Sequence, residues 1–185
     1  MSGASKVPEN AFETGVRKVI PATLIYVRNE AGELLMLHRV AESRASTDYH
    51  HGLWNGLGGK LEPEEAPVEA AARELAEESG IAWGPDRFQV LGVLHFPNFK
   101  PHRNEDWIAY VLVADWSREA GDAAPWSEGP EGQLSWVAAA QVLELPTWPG
   151  DREFLPWVLR RRPFVGTLWY DGRKLKRAAM QELGG

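Results

Sequence analysis

The sequence predicts an α/β fold in which a mixed β-sheet lies between helices. Three observations predict it. Apolar, β-branched runs recur along the chain with turn residues between them. One strongly helical segment, Pro67 to Gly80, interrupts those runs, and a second follows near residues 154–161. The resulting order is strands, helix, strands, helix, carried by 185 residues of which 44% are apolar and 25% charged. That length suits one domain with a substantial core, assigned to residues 16–185.

Residues 1–15 are small and polar, with nothing periodic to bury, and read as a disordered segment. Val19 to Val27 reads as a strand, with Pro21 suggesting an edge or a bulge near its start. Asn29 to Gly32 reads as a turn and Leu34 to Val40 as the returning strand of a hairpin. Arg39 to His51 is a polar loop, and Leu53 to Gly59 a short, glycine-interrupted extended segment. In the helix, Pro67 suits a first position, the alanines and Leu75 favour the interior, and Gly80 ends it. Phe88 to Phe96 and Trp107 to Ala114 read as strands joined by a loop over 97–106. Residues 117–132 read as an exposed loop, 134–137 as a strand and 138–145 as a short helix. Pro146 to Asp151 is a turn into the helix through Phe154 to Arg161. Val165 to Tyr170 reads as a strand, and Asp171-Gly172 as a hairpin turn. Beyond it, residues 173–183 suit strand or helix, and propensity favours helix.

A net charge of −6 argues against binding a nucleic-acid polymer by phosphate neutralisation. It leaves nucleotides open, because a bound cation carries phosphate charge locally. There is no cysteine, hence no disulfide or thiolate metal site. No apolar run reaches the roughly 20 residues needed to span a bilayer, and the first residues carry no signal-peptide core. The expectation is a cytoplasmic protein, without a membrane partner, as a monomer or dimer.

Residues 59–81 hold seven glutamates in 23 positions. At about 100° per residue, Glu74, Glu77 and Glu78 share roughly 100° of arc on one helix face. Like charges at that spacing repel, and a hard divalent cation taking carboxylate oxygens reverses the sign. A solvated acidic face is the bland alternative. The spacing argues against it: Gly59, Glu65, then Arg73-Glu74-Leu75-x-Glu77-Glu78-x-Gly80-Ile81. These residues match the Nudix box at nine defined positions, so the chain resembles the Nudix hydrolases. Trp54 to Lys60, Phe96-Pro97-Asn98-Phe99, Glu105-Asp106-Trp107 and the segment Leu145 to Leu155 extend the resemblance to the MutT-type oxidised-purine nucleoside triphosphatases. The bacterial 8-oxo-dGTP diphosphatase branch is the most similar.

The resemblance implies the Nudix α/β/α sandwich and Mg²⁺ (or Mn²⁺) dependent hydrolysis of a small nucleotide. Glu74, Glu77 and Glu78 are then the metal-binding and water-activating set, with Glu78 a ligand and Glu74 a ligand or the base. Gly58 and Gly59 resemble the turn that adds a backbone carbonyl ligand. Arg73 and Glu65 read as structural. Glu105, outside the box, is either a further metal-binding or basic glutamate or a solvated loop residue. A purine needs an aromatic slot and a few polar groups on its edge. Asn55, Asp151 and Trp148 are the candidates, with Tyr49 as a further wall and Lys60 near the phosphates. For Trp148 and Tyr49 the competing reading is plain packing. His50, His51, Lys100 and Arg103 read as solvated loop residues.

Three departures stand out. Gly150 precedes Asp151 where the human-type pattern has paired aspartates. Glu64 stands where relatives commonly have glycine, and Ala66 where a hydroxyl cap is usual. The resemblance implies 8-oxo-dGTP hydrolysis to 8-oxo-dGMP and diphosphate, in nucleotide-pool sanitation. Its rivals are a broad NTP diphosphatase, an ADP-ribose or dinucleotide hydrolase, and a non-catalytic nucleotide-sensing domain.

Overall fold

The computed structural model describes residue 12 and residues 14–40 and 50–184. Apart from residues 12, 14 and 15, the expected disorder over 1–15 lies outside the described residues, as does Tyr49. The strands are β1 (Lys18–Arg28), β2 (Leu34–His38), β3 (Trp54–Asn55), β4 (Gln89–Lys100), β5 (Glu105–Asp115), β6 (Glu128–Gly129), β7 (Gly132–Val137), β8 (Phe164–Asp171) and β9 (Lys174–Glu182). The helices are α1 (Pro67–Ser79), α2 (Ala139–Val142) and α3 (Asp151–Arg160).

One mixed sheet runs β6-β7-β2-β1-β5-β4-β8-β9, with β3 beside β2. Its centre is the parallel pair of β1 and β5, in register from Lys18↔Glu105 to Arg28↔Asp115. β4 is antiparallel to β5 and parallel to β8. The period-2 alternation of strands sends consecutive residues to opposite faces. On β1, Ile25 and Val27 join Leu75 and Ala71 of α1, while Tyr26 between them joins Phe154, Leu155 and Val158 of α3. Two cores on two faces of one sheet make the α/β/α sandwich. No helix among the described residues is long and apolar enough to cross a membrane.

Four expectations are corrected. The segment over 173–183 holds the strand β9, not a helix, paired to β8 from Phe164↔Glu182 to Asp171↔Lys174. Pro21 lies on the interior strand β1, which meets β2 only at Arg28↔Leu34. Beside Pro21 the neighbour on that side is the incoming chain instead: Leu61 N–H donates to the Pro21 carbonyl at 3.1 Å. Much of the loop over 97–106 is strand, since β4 reaches Lys100 and β5 begins at Glu105. Within residues 117–132, β6 forms a tight hairpin with β7 (Gly129↔Gly132).

Candidate active site

A cavity of about 350 Å³ opens between α1, the sheet and the N-terminal end of α3. Residues 55–60 run along it beside β1, held by bridges Ile25↔Leu57 and Ala22↔Lys60. Two glycines bring this segment against the helix. Gly58 has φ +122°, and a Cβ there would stand 2.5 Å from the Thr23 carbonyl oxygen. A Cβ on Gly59 would stand 2.3 Å from Glu74 Oε1. No other residue type fits either place without displacement.

α1 begins at Ala66, which has no side-chain cap; Glu69 compensates by accepting the Ala66 N–H at 2.8 Å. It ends at Gly80, whose φ of +76° closes the last turn. Between these ends, Glu74 and Glu78 enter the cavity one turn apart. Glu78 is buried and accepts the Gly58 N–H at 2.8 Å. Burial holds its carboxyl well above the ordinary range, against the pull of that N–H, and the neighbouring Glu131 adds to the rise. Burial also raises Glu74, which Arg73 partly offsets. The Arg73 guanidinium is a clamp: two bonds of 2.9 Å to Glu65, one of 2.8 Å to Glu74, and one of 3.1 Å to the Lys60 carbonyl. Arg73 and Glu65 thus have the structural part the sequence suggested.

The structure does not bring every expected carboxylate together. Glu77 turns outward, its side chain 59% exposed and 3.6 Å from Arg73, and it does not line the cavity. Glu105 is buried at the start of β5 outside the cavity lining, where it accepts the Trp107 indole N–H at 3.2 Å. The carboxylate that does join Glu74 and Glu78 is Glu131, which sequence reasoning missed. It sits on the β6–β7 hairpin turn, bonded by Arg39, with its side chain hydrogen-bonded to Glu78. Gly129 lets that hairpin dock, since a Cβ there would meet the Glu78 carbonyl at 2.3 Å. Nothing in the local sequence distinguishes Glu131 from other glutamates of a glycine- and proline-bearing loop.

Two carboxyls in mutual hydrogen bonding must share a proton or a cation. Among the described residues no three His, Cys, Asp or Glu side chains are gathered closely enough to form a ready metal site. The donor set nonetheless suits a hard divalent cation: carboxylate oxygens from Glu74, Glu78 and Glu131, with Gly58 beside them and no sulfur.

The other end of the cavity holds Asn55, Trp148 and Asp151. Trp148 is buried, and its indole N–H donates to His50 Nδ1 at 2.7 Å. Phe99 and Tyr170 meet it edge-on, with ring centroids at 5.9 and 5.6 Å. Trp148 therefore packs and lines the cavity at once. Asp151 opens α3, in the turn where Tyr170 Oη accepts the Gly150 N–H at 2.8 Å. The residue keeps some exposure, yet its carboxyl is enclosed, and burial pushes it up to about 8 despite a backbone N–H from Trp148. Lys60 lines the cavity beyond Gly59. His51 lies outside the cavity lining, whereas His50 is part of it.

Known proteins resemble this chain in sequence and in fold. The family profile described as NUDIX domain matches residues 18–158. The oxidized purine nucleoside triphosphate hydrolase of Mus musculus is 28% identical over 72% of this chain and 80% of its own length. The 8-oxo-dGTP diphosphatase of Escherichia coli is 33% identical over 58% of this chain and 70% of its own. Among solved structures, a MutT protein from Bacillus halodurans superposes with a TM-score of 0.71 at 25% identity, covering 87% of this chain and 97% of that one.

Proposed function

The chain belongs to the Nudix family, and from that premise we propose that it is a Mg²⁺-dependent hydrolase of oxidised purine nucleoside triphosphates. The reaction is 8-oxo-dGTP and water to 8-oxo-dGMP and diphosphate, in sanitation of the nucleotide pool. One observation carries the reading: a single cavity has carboxylates at one end and an aromatic slot with an amide and an enclosed carboxyl at the other.

Water adds to phosphorus, the phosphoanhydride bond breaks, and the proton leaves to a carboxylate. Glu74, Glu78, Glu131 and the Gly58 carbonyl would hold Mg²⁺ or Mn²⁺. When bound, the ion neutralises phosphate charge and acidifies the attacking water. Glu74, kept in place by Arg73, or Glu131, kept by Arg39, takes the water's proton. At the base end, Trp148 offers its ring, Asn55 both a donor and acceptors, and Asp151, when protonated, a donor. An 8-oxopurine differs from its parent by an added carbonyl and an N–H at position 7. Asn55 and Asp151 are the groups present to sense that difference.

The test is diphosphate release from 8-oxo-dGTP and from dGTP, side by side with Mg²⁺. A kcat/KM at least tenfold higher for the oxidised base is expected. Equal rates would replace sanitation with general NTP hydrolysis. Hydrolysis of neither would move the substrate to dinucleotides or nucleotide sugars.

A further inference from the structure

The floor segment 55–60 orders the cavity like a ruler. Asn55 lies at the base end, Gly58 binds Glu78, Gly59 abuts Glu74, and Lys60 comes last. An extended chain rises about 3.3 Å per residue, so Lys60 stands on the order of 15 Å from Asn55. That is about the length of a nucleoside triphosphate laid base first. The outer phosphates therefore need a partner beyond Gly59.

The structure has cations there. Lys60 Nζ lies 5.4 Å, and Lys100 Nζ 4.5 Å, from the centre of the Trp107 ring, which itself lines the cavity. The platform is held in place. Trp107 donates its N–H to buried Glu105, and Phe99 meets its ring edge at 5.8 Å. Lys100 ends β4 after a register shift, where buried Asp106 accepts the Asn98 N–H at 2.7 Å. Lys100 is half-buried; burial and then Lys60 hold its ammonium below the usual lysine range, while its cross-strand partner Glu105 opposes the shift. Arg103 approaches the same Glu105 at 4.0 Å. Two ammonium groups gathered on one indole repel each other, and a polyanion between them turns that cost into attraction.

We propose that Lys60, Trp107 and Lys100 form the subsite for the diphosphate end of the substrate, with Lys100 a second phosphate-binding residue beside Lys60. The subsite rests on the nucleotide reading above for its orientation. Lys100 thereby exchanges the solvated-loop reading for a substrate contact.

The test titrates inorganic diphosphate with Mg²⁺ into the wild-type chain and Lys100→Gln by calorimetry, and a nucleoside monophosphate in parallel. Loss of one charge-assisted contact should weaken diphosphate about tenfold and leave the monophosphate unchanged. Lys100→Arg should recover the diphosphate affinity. Undetectable diphosphate binding by the wild type, unchanged affinity in Lys100→Gln, or equal weakening of both ligands would overturn the subsite. Neither titration needs turnover. Diphosphate held through Lys100 by a chain that leaves 8-oxo-dGTP intact would keep the subsite and remove the nucleotide assignment.

Discussion

Burial pushes the Asp151 carboxyl up, outweighing the helix N-terminus that would favour its charged form. Its folded value of about 8 lies above the unfolded 3.8. Between those values the folded state keeps a proton that the unfolded state has lost, so stability falls as pH rises through that window and levels off above it. Asp151→Asn keeps a donor and removes the ionisation. The melting temperature of the wild type should therefore drop more between pH 5 and pH 9 than that of the variant. Parallel drops would mean that Asp151 is not held protonated. That Asn55, Trp148 and Asp151 share one cavity was legible in sequence, because each lies in a matched run of residues. Glu131 was not, because its part depends on the β6–β7 hairpin and the reach of Arg39, both products of tertiary pairing. Glu105 looked eligible by position along the chain, yet its carboxylate turns to the Trp107 N–H.

At the scale of the element, α1 was readable almost to the residue, since Pro67 and Gly80 mark its ends by backbone geometry alone. The chain over 173–183 was not. Lys, Leu, Arg, Ala, Met and Gln all favour helix, but the Asp171-Gly172 turn returns the segment along β8, and sheet pairing overrides propensity. The turn before α1 retains a local conflict. Glu64 has φ +67°, a conformation suited to glycine. Glu64→Gly should stabilise the fold by up to about 1 kcal/mol after the glycine's greater unfolded-state freedom is subtracted. Chemical denaturation checks this, and a lower midpoint in the glycine variant would contradict it.

Across the whole molecule, a net charge of −6 surrounds a cavity that already concentrates three glutamates. The fold tolerates Glu78 beside Glu131 by holding the Glu78 carboxyl well above the ordinary range, chiefly through burial, which makes the site costly without a counter-ion. Mg²⁺ in large excess over its dissociation constant should raise the melting temperature by several degrees, and a chelator should reverse the gain. Glu78→Gln should melt higher than the wild type in chelator, respond less to Mg²⁺ and lose turnover. A full Mg²⁺ response in that variant would remove Glu78 from the ligand set.

The parallel register of β1 with β5 also sets when such a site can exist. β1 carries the cavity floor on one side and pairs β5 on the other, from Lys18↔Glu105 onward. α1 and β4 both lie in the intervening chain. Closing a loop of that length costs roughly 4 kcal/mol of chain entropy beyond the constant for short loops. Such non-local parallel pairing forms slowly. Catalytic competence is therefore a late event in folding: a nascent chain can hold a complete α1, with every box glutamate in helical register, and still have no pocket for them to face.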